Sequence, residues 1–244
     1  MKIISLNIWG GRIYRPLINF IRKYSHEVDI FCFQEVFDNA IITRSVHTDG
    51  IADIFKRIGG VLQEHEGFFI EEQTKEEGLA IFYRRSIDIL DSGHGFVFLH
   101  KDSMQNNDAR TLGRAVQYIS IAGNPRTFIG NFHGLWNGLG KTDSPDRILQ
   151  SMKVKRVLER FSGHRILVGD FNLLPDSLSM EIISEGMRNL IVEAGIKSTR
   201  SSLYSKSSSP FSDYILISPE IKVIHFEVLQ DTVSDHLPLL LDID

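Results

Sequence analysis

The chain has one cysteine, Cys32, so no intramolecular disulfide can form. That residue lies in the apolar run Val28–Phe33, where a buried, inert thiol is the expected state. No stretch approaches the ~20 consecutive apolar residues of a membrane-spanning helix. The opening Met1-Lys2-Ile3-Ile4-Ser5-Leu6-Asn7 has too short an apolar stretch for a secretory signal. A cytoplasmic, reducing location with no membrane partner is therefore expected. Positive charge is not in excess either: 27 Lys and Arg against 31 Asp and Glu give a net charge of −4. That excludes a global field drawing the protein to nucleic acid and argues against non-specific DNA coating. A nucleic-acid substrate stays open, because a local basic rim or a bound cation can serve a cleft.

What is present is an ordinary globular composition, 42% apolar and 24% charged over 244 residues, enough to bury a sizeable core. Short runs rich in β-branched and aromatic residues predict strands at Ile3–Ile8, Ile30–Gln34, Leu79–Tyr83, Ala115–Ile121, Thr127–Phe132, Arg165–Gly169, Tyr214–Ser218, Val223–Leu229 and Leu237–Ile243. Ser144-Pro145 reads as an N-cap with proline at the first helical position, and Val154, Val157, Leu158 and Phe161 then recur on one face. Further helices are expected over Pro16–Lys23 and Ser177–Glu185, and Ser201–Ser209 reads as a surface loop. Strands and helices without strict alternation suggest packed sheets covered by helices. No composition shift marks a boundary, so one domain over residues 1–244 is expected.

Five of these strands carry amides, carboxylates or imidazoles at their ends: Asn7; Gln34-Glu35; Asn131 and His133; Asp170-Phe171-Asn172; Ser234-Asp235-His236. Singly, each has a plain explanation, such as a strand-end amide or a turn. Their recurrence along the whole chain is harder to assign to turns. Carboxylate and amide oxygens without cysteine form a hard-oxygen set suited to Mg²⁺ or Mn²⁺. Such an ion offsets the charge building on a pentacovalent phosphorus and activates water. Imidazoles titrate near neutrality and donate to the same oxygens. The combination points to phosphoryl-ester hydrolysis.

Ser5-Leu6-Asn7, Phe33-Gln34-Glu35, Gly169-Asp170-Phe171-Asn172, Ser212-Asp213-Tyr214-Ile215 and Ser234-Asp235-His236 follow one another in order. In this the chain resembles the endonuclease/exonuclease/phosphatase superfamily, which includes deoxyribonuclease I, exonuclease III-type enzymes, neutral sphingomyelinases and inositol polyphosphate 5-phosphatases. The resemblance implies an α/β (α+β) fold, a four-layer, deoxyribonuclease I-like sandwich of two mixed β-sheets flanked by helices. It implies Glu35 as main metal ligand with Asn7 beside it, and Asp235 as a further metal contact. Asp170 would orient or deprotonate the attacking water, Asn172 would hold a phosphate oxygen, and His236 would meet the scissile phosphate, polarised by Asp213. His133 falls where the deoxyribonuclease I and phosphatase branches carry histidine and abasic-site endonucleases usually carry tyrosine, which disfavours abasic-site repair. A glutamate supports that imidazole in those branches; Glu77 is the best match and Glu76 the alternative.

The surroundings are read less sharply. Arg114 reaches either a phosphate or a core carboxylate, and Trp136 either stacks on a base or caps the core. Lys141, Arg147, Arg200 and Lys206 form either a basic rim for a phosphodiester backbone or scattered solvated charges. The leading expectation is a Mg²⁺- or Mn²⁺-dependent phosphodiesterase acting on DNA or RNA. A phosphatase of small phosphomonoesters or phosphoinositide-like headgroups is the alternative, and a silent binding protein of the same fold the third. No protein partner is inferable.

Overall fold

The computed structural model describes residues 1–39, 49–72, 77–98, 113–138, 140–205 and 209–244. Strand β1 (Lys2–Asn7) sets the plan, because alternate side chains leave a strand on opposite faces. Ile4 and Leu6 join a core shared with helices, Ile3 joins the core between the sheets, and Ser5 and Asn7 follow Ile3. In the parallel neighbour β2 (Ile30–Phe37), Phe31 and Phe33 go outward while Ile30 and Cys32 go inward. The first sheet runs β11 (Val223–Val228), β12 (Leu239–Ile243), β1, β2, β4 (Glu77–Arg84), β3 (His65–Glu71). The second runs β5 (Ile89–Phe96), β6 (Ala115–Ile121), β7 (Thr127–His133), β8 (His164–Asp170), β10 (Asp213–Ile217), β9 (Arg188–Asn189).

Both sheets are mixed, each with a parallel pair near its centre, β1–β2 and β7–β8. Helices α1 (Tyr14–Tyr24) and α2 (Ile54–Val61) cover the first sheet, packing Leu17, Ile21, Ile54 and Ile58 on Leu6, Phe31, Phe33 and Phe82. Helices α3 (Pro145–Glu159), α4 (Leu178–Ser184) and α5 (Leu190–Glu193) accompany the second. Along α3 the expected face of Val154, Val157 and Leu158 packs into the core, and Phe161, just past the helix end, lies 4.2 Å from the Phe128 ring. Each such buried aliphatic or aromatic side chain contributes about 1.5–3 kcal/mol. Two mixed six-stranded sheets with helices on the outside are the four-layer sandwich that the resemblance implied. Among the described residues no helix is long and apolar enough to cross a membrane.

The nine expected strands are all present, most with ends shifted by a few residues; β3, β5, β9, α2 and α5 are not among the elements the sequence pattern predicts. The most consequential shift is in β2, which continues through a β-bulge between Phe33 and Val36 to Phe37. At the bulge Glu35 takes φ 55°. The extra residue lets Gln34 turn into the inter-sheet layer while Glu35 also reaches the polar end of the sandwich.

Polar side chains cross between the sheets just below that end. Gln34 Nε2 donates to Asn131 Oδ1 at 2.7 Å, and Asn131 Nδ2 donates to Phe33 O at 3.0 Å, Ala80 O at 3.2 Å and Gln117 Oε1 at 3.1 Å. Asn131, expected near the site, is thus a buried stitch between the sheets.

Candidate active site

Strand register assembles the site. Asn7 pairs with Gln34 across β1–β2, His133 with Asp170 across β7–β8, and Asp213 with Asp170 across β8–β10. Gly134 makes the join between β7 and the turn after β8: its N–H donates to Asp170 O at 2.7 Å, and a Cβ there would sit 2.0 Å from Phe171 O. Three non-glycine residues bordering the site have positive φ, Trp9 (51°), Glu35 (55°) and Asn172 (53°). Such conformations cost roughly 1–3 kcal/mol each and persist where the surroundings over-determine them.

Asn7 Nδ2 donates to Glu35 Oε1 at 2.9 Å and to Asp170 Oδ2 at 3.1 Å, so one amide joins carboxylates from opposite sheets. Its own oxygen accepts the Trp9 N–H at 2.9 Å, which fixes the amide's orientation and turns a donor, not an oxygen, toward the carboxylates. Asp170 Oδ1 accepts from Asn172 N at 3.0 Å and from Ser212 Oγ. Asp170 Oδ2 lies 3.5 Å from His236 Nε2 and 3.9 Å from His133 Nε2. Asn172 Nδ2 donates to Gly134 O at 3.3 Å. His236 Nδ1 faces both Asp213 oxygens, at 2.8 and 2.9 Å, and Thr199 Oγ1 donates to Asp213 Oδ2 at 2.8 Å. Glu35, Asp170, Asp213 and His236 thus converge at one place. Ligand atoms of Glu35, His133 and Asp170 lie within 4.8 Å of one another, and so do those of Asp170, Asp213 and His236.

A model of the endonuclease/exonuclease/phosphatase family matches residues 4–236. The chain belongs to that family. Its members hydrolyse phosphate esters and generally use divalent metal ions. A family protein from Leptotrichia buccalis is similar in structure, with a TM-score of 0.74 and 20% identity over 100% of this chain and 99% of that one. A mannosyl-6-phosphatase of Bacteroides thetaiotaomicron aligns with a TM-score of 0.72 and 21% identity over 100% of this chain and 99% of its own. Humanized D. rerio TDP2 aligns at 0.68 with 14% identity, covering 100% of this chain and 98% of that one. No curated protein sequence matches the chain.

Further groups in this cluster are legible in the sequence only in part. His133 Nδ1 lies 3.4 Å from an Arg114 guanidinium nitrogen, 3.8 Å from Glu72 Oε2 and 4.0 Å from Glu77 Oε1. A guanidinium only donates, so Nδ1 accepts and the neutral ring carries its proton on Nε2, toward Asp170. Burial pushes this imidazole down to about 3, with Arg114 acting in the same direction. Glu72, not singled out in the sequence, is fully buried; it accepts from Ala115 N at 2.7 Å and from Arg114 at 3.4 Å. Of the two readings of Arg114, the core carboxylate is where the guanidinium lies. Glu76 and Lys206 fall outside the described residues.

The basic-rim reading needs correction. Arg147 is buried, its guanidinium donating to the carbonyls of Leu135, Gly140 and Thr142, so it fixes the loop after His133. Lys141 is also buried, with Nζ on Phe211 O at 2.8 Å. The Arg200 side chain is 8% exposed and contacts Asp235, Ser212 and His236. All three turn inward, Arg147 from the first turn of α3 and the other two from loops, onto carbonyls or Asp235. Leu135 is buried in the His133 loop, and Trp136 beside it is half-buried, three positions after His133.

The electrostatics suit a hard divalent cation. Burial raises the Glu35 carboxyl, and Glu77 and Asp235 raise it further against the opposing Asn7 hydrogen bond. The protein leaves that negative charge under-compensated, which a cation beside it would correct. Burial would also raise Asp170, but His236, Lys141, His133 and Arg200 hold it far below the usual carboxylate range. Burial works against charge on His236, yet the Asp213 carboxylate outweighs it and raises the imidazole. Arg200 opposes that shift, since a guanidinium nitrogen against Nε2 requires that atom to be unprotonated.

Proposed function

We propose that the chain is a divalent-metal-dependent phosphoesterase acting on a small or terminal phosphate ester. The carrying observation is the convergence of Glu35, Asp170 and His236, from three segments of both sheets, within one buried polar cluster. Glu35 and Asp235 would hold Mg²⁺ or Mn²⁺, with Asn7 spacing Glu35 from Asp170. The ion would supply charge stabilisation at the phosphoryl oxygens and a more acidic water. Asp170 stays ionised and is a weak base, so its part is to orient the attacking water rather than to take its proton. Asn172 and His236 donate to the phosphoryl oxygens. Asp213 holds the imidazole with its proton on Nδ1 and favours the charged ring in the transition state. Neutral His133, with Nε2–H toward Asp170, adds a second fixed donor, held by Arg114, Glu72 and Glu77.

A small or terminal phosphate is favoured over a polynucleotide track because Arg147 is committed to loop carbonyls and Lys141 and Arg200 lie within the polar cluster rather than along an exposed surface. A nucleic-acid backbone is bound by several accessible cations, each neutralising a phosphate. The alternative, a nuclease, gains support if single- or double-stranded polynucleotide is degraded faster than small esters. Hydrolysis measured with Mg²⁺ and with a chelator tests the function. Turnover should need the ion, and Asp170→Ala or His236→Ala should abolish it with an unchanged circular dichroism spectrum. Full activity in both variants would place the chemistry elsewhere.

A further inference from the structure

Two buried cations stand on adjacent residues at the edge of this cluster. Lys141 Nζ is held by Phe211 O at 2.8 Å, and Arg200 donates to Ser212 Oγ at 3.0 Å. Lys141 is 3% exposed and, among the described residues, forms no ion pair within 4.0 Å. An ammonium has three donors, and a single acceptor is recorded for this one. Arg200 is pinned more firmly. Its backbone bridges to His236, its guanidinium reaches Asp235 Oδ2 at 3.3 Å, and the guanidinium carbon lies 4.2 Å from the centre of the Tyr204 ring. Yet its buried Nε has no acceptor among the described residues.

The contact between Arg200 and His236 Nε2 gives the two cations a direction. A charged donor against a ring nitrogen wastes the imidazole for acid catalysis and leaves the guanidinium with a neutral partner. An anionic oxygen that displaced this contact would accept from both groups at once. Lys141, held on Phe211 O next to the Ser212 that Arg200 contacts, would supply a second positive charge to the same anion. Burial lowers the Lys141 ammonium to about 8, a shift that a bound anion would reverse.

We propose that Arg200 and Lys141 form a receptor for the non-bridging oxygens of a dianionic phosphate, selecting phosphomonoesters over phosphodiesters. The proposal rests on the phosphoesterase reading for its placement at the scissile group. A monoester dianion presents three non-bridging oxygens and two charges, whereas a diester presents two oxygens and one charge. Two further cations beside the metal site therefore reward the monoester more. A planar guanidinium fork matches two oxygens of a tetrahedral phosphate, which a lysine in its place would not reproduce.

The test compares wild type with Arg200→Gln, Arg200→Lys and Lys141→Gln, all loaded with Mg²⁺ at pH 8. The probes are p-nitrophenyl phosphate and bis(p-nitrophenyl) phosphate for turnover, and inorganic phosphate for calorimetric binding. Each Gln variant should lower the monoester-to-diester ratio of kcat/KM by about tenfold or more and weaken phosphate binding by a similar factor. Arg200→Lys should fall between, and it carries the comparison if Arg200→Gln melts early. A merely structural arginine would depress both substrates together, and an unchanged ratio would overturn the proposal. Wild type that fails to bind phosphate would overturn it too. Wild type that binds phosphate through these residues but hydrolyses neither ester would sink the phosphoesterase reading and leave the anion receptor standing.

Discussion

One nitrogen of Asn7 donates to both Glu35 and Asp170, at 2.9 and 3.1 Å, and so ties the two sheets together at the point where their negative charges meet. Removing it leaves two buried acceptors facing each other. Asn7→Ala should destabilise the metal-free protein by about 1–3 kcal/mol. Mg²⁺ should restore more stability to this variant than to wild type, since a cation held at Glu35 offsets the negative charge that the missing donor no longer shields. Thermal melts with Mg²⁺ and with chelator measure both effects. Equal Mg²⁺ stabilisation of variant and wild type would mean that the ion binds away from this pair.

Asp213 holds His236 through Nδ1, and Thr199 holds Asp213 in turn. Asp213→Asn keeps the shape but removes the charge that favours an imidazolium. A loss of roughly 10²–10⁴ in kcat is expected, the range of a positioned acid–base group. The far-ultraviolet circular dichroism spectrum should not change. Activity near wild type would show that the imidazole needs no carboxylate.

Glu72 and Arg114 form a buried pair at 3.4 Å behind His133. Glu72→Ala leaves the guanidinium without that partner and Ala115 N–H without an acceptor. Unfolding in urea should show a loss on the order of 3 kcal/mol. Glu72→Gln, which keeps an oxygen for Ala115, should lose less. Equal stability of Glu72→Ala and wild type would contradict the pairing.

His133 stays neutral in the fold down to about pH 3, against an ordinary value of 6.5. Between these values the unfolded chain binds more protons than the native one, so stability rises with pH across the window and is complete above 6.5. Replacing His133 by Gln should flatten that part of the stability–pH curve. An unchanged slope between pH 4 and 6 in paired denaturant titrations would contradict a neutral buried ring.

The sequence made the sandwich legible where strands were apolar. Ile30–Gln34 and Thr127–Phe132 are buried on both faces, and their terminal amides and imidazole stand out against such neighbours. It failed where burial was one-sided. β5 reads Ile-Leu-Asp-Ser-Gly-His-Gly-Phe, and its exposed positions mask the strand period. β3 alternates around a charged, glycine-bearing stretch with the same result. The glutamates from Glu71 to Glu77 are alike in sequence, so only folding distinguishes buried Glu72 from half-buried Glu71. Lys141 and Arg200 lie outside the helices and named strands and Arg147 in the first turn of α3, places where charge ordinarily means solvent. Loop carbonyls and buried acids drew them inward, and no local pattern reports such partners.

An anomalous-scattering map of crystals soaked in Mn²⁺ and inorganic phosphate is the decisive observation. One strong Mn²⁺ peak should appear against the Glu35 carboxylate, with phosphate in reach of Asn172, His236 and Arg200. Mn²⁺ bound only elsewhere, with Glu35 and Asp170 still joined through Asn7 and no anion beside His236, would contradict a shared cation-and-phosphate pocket.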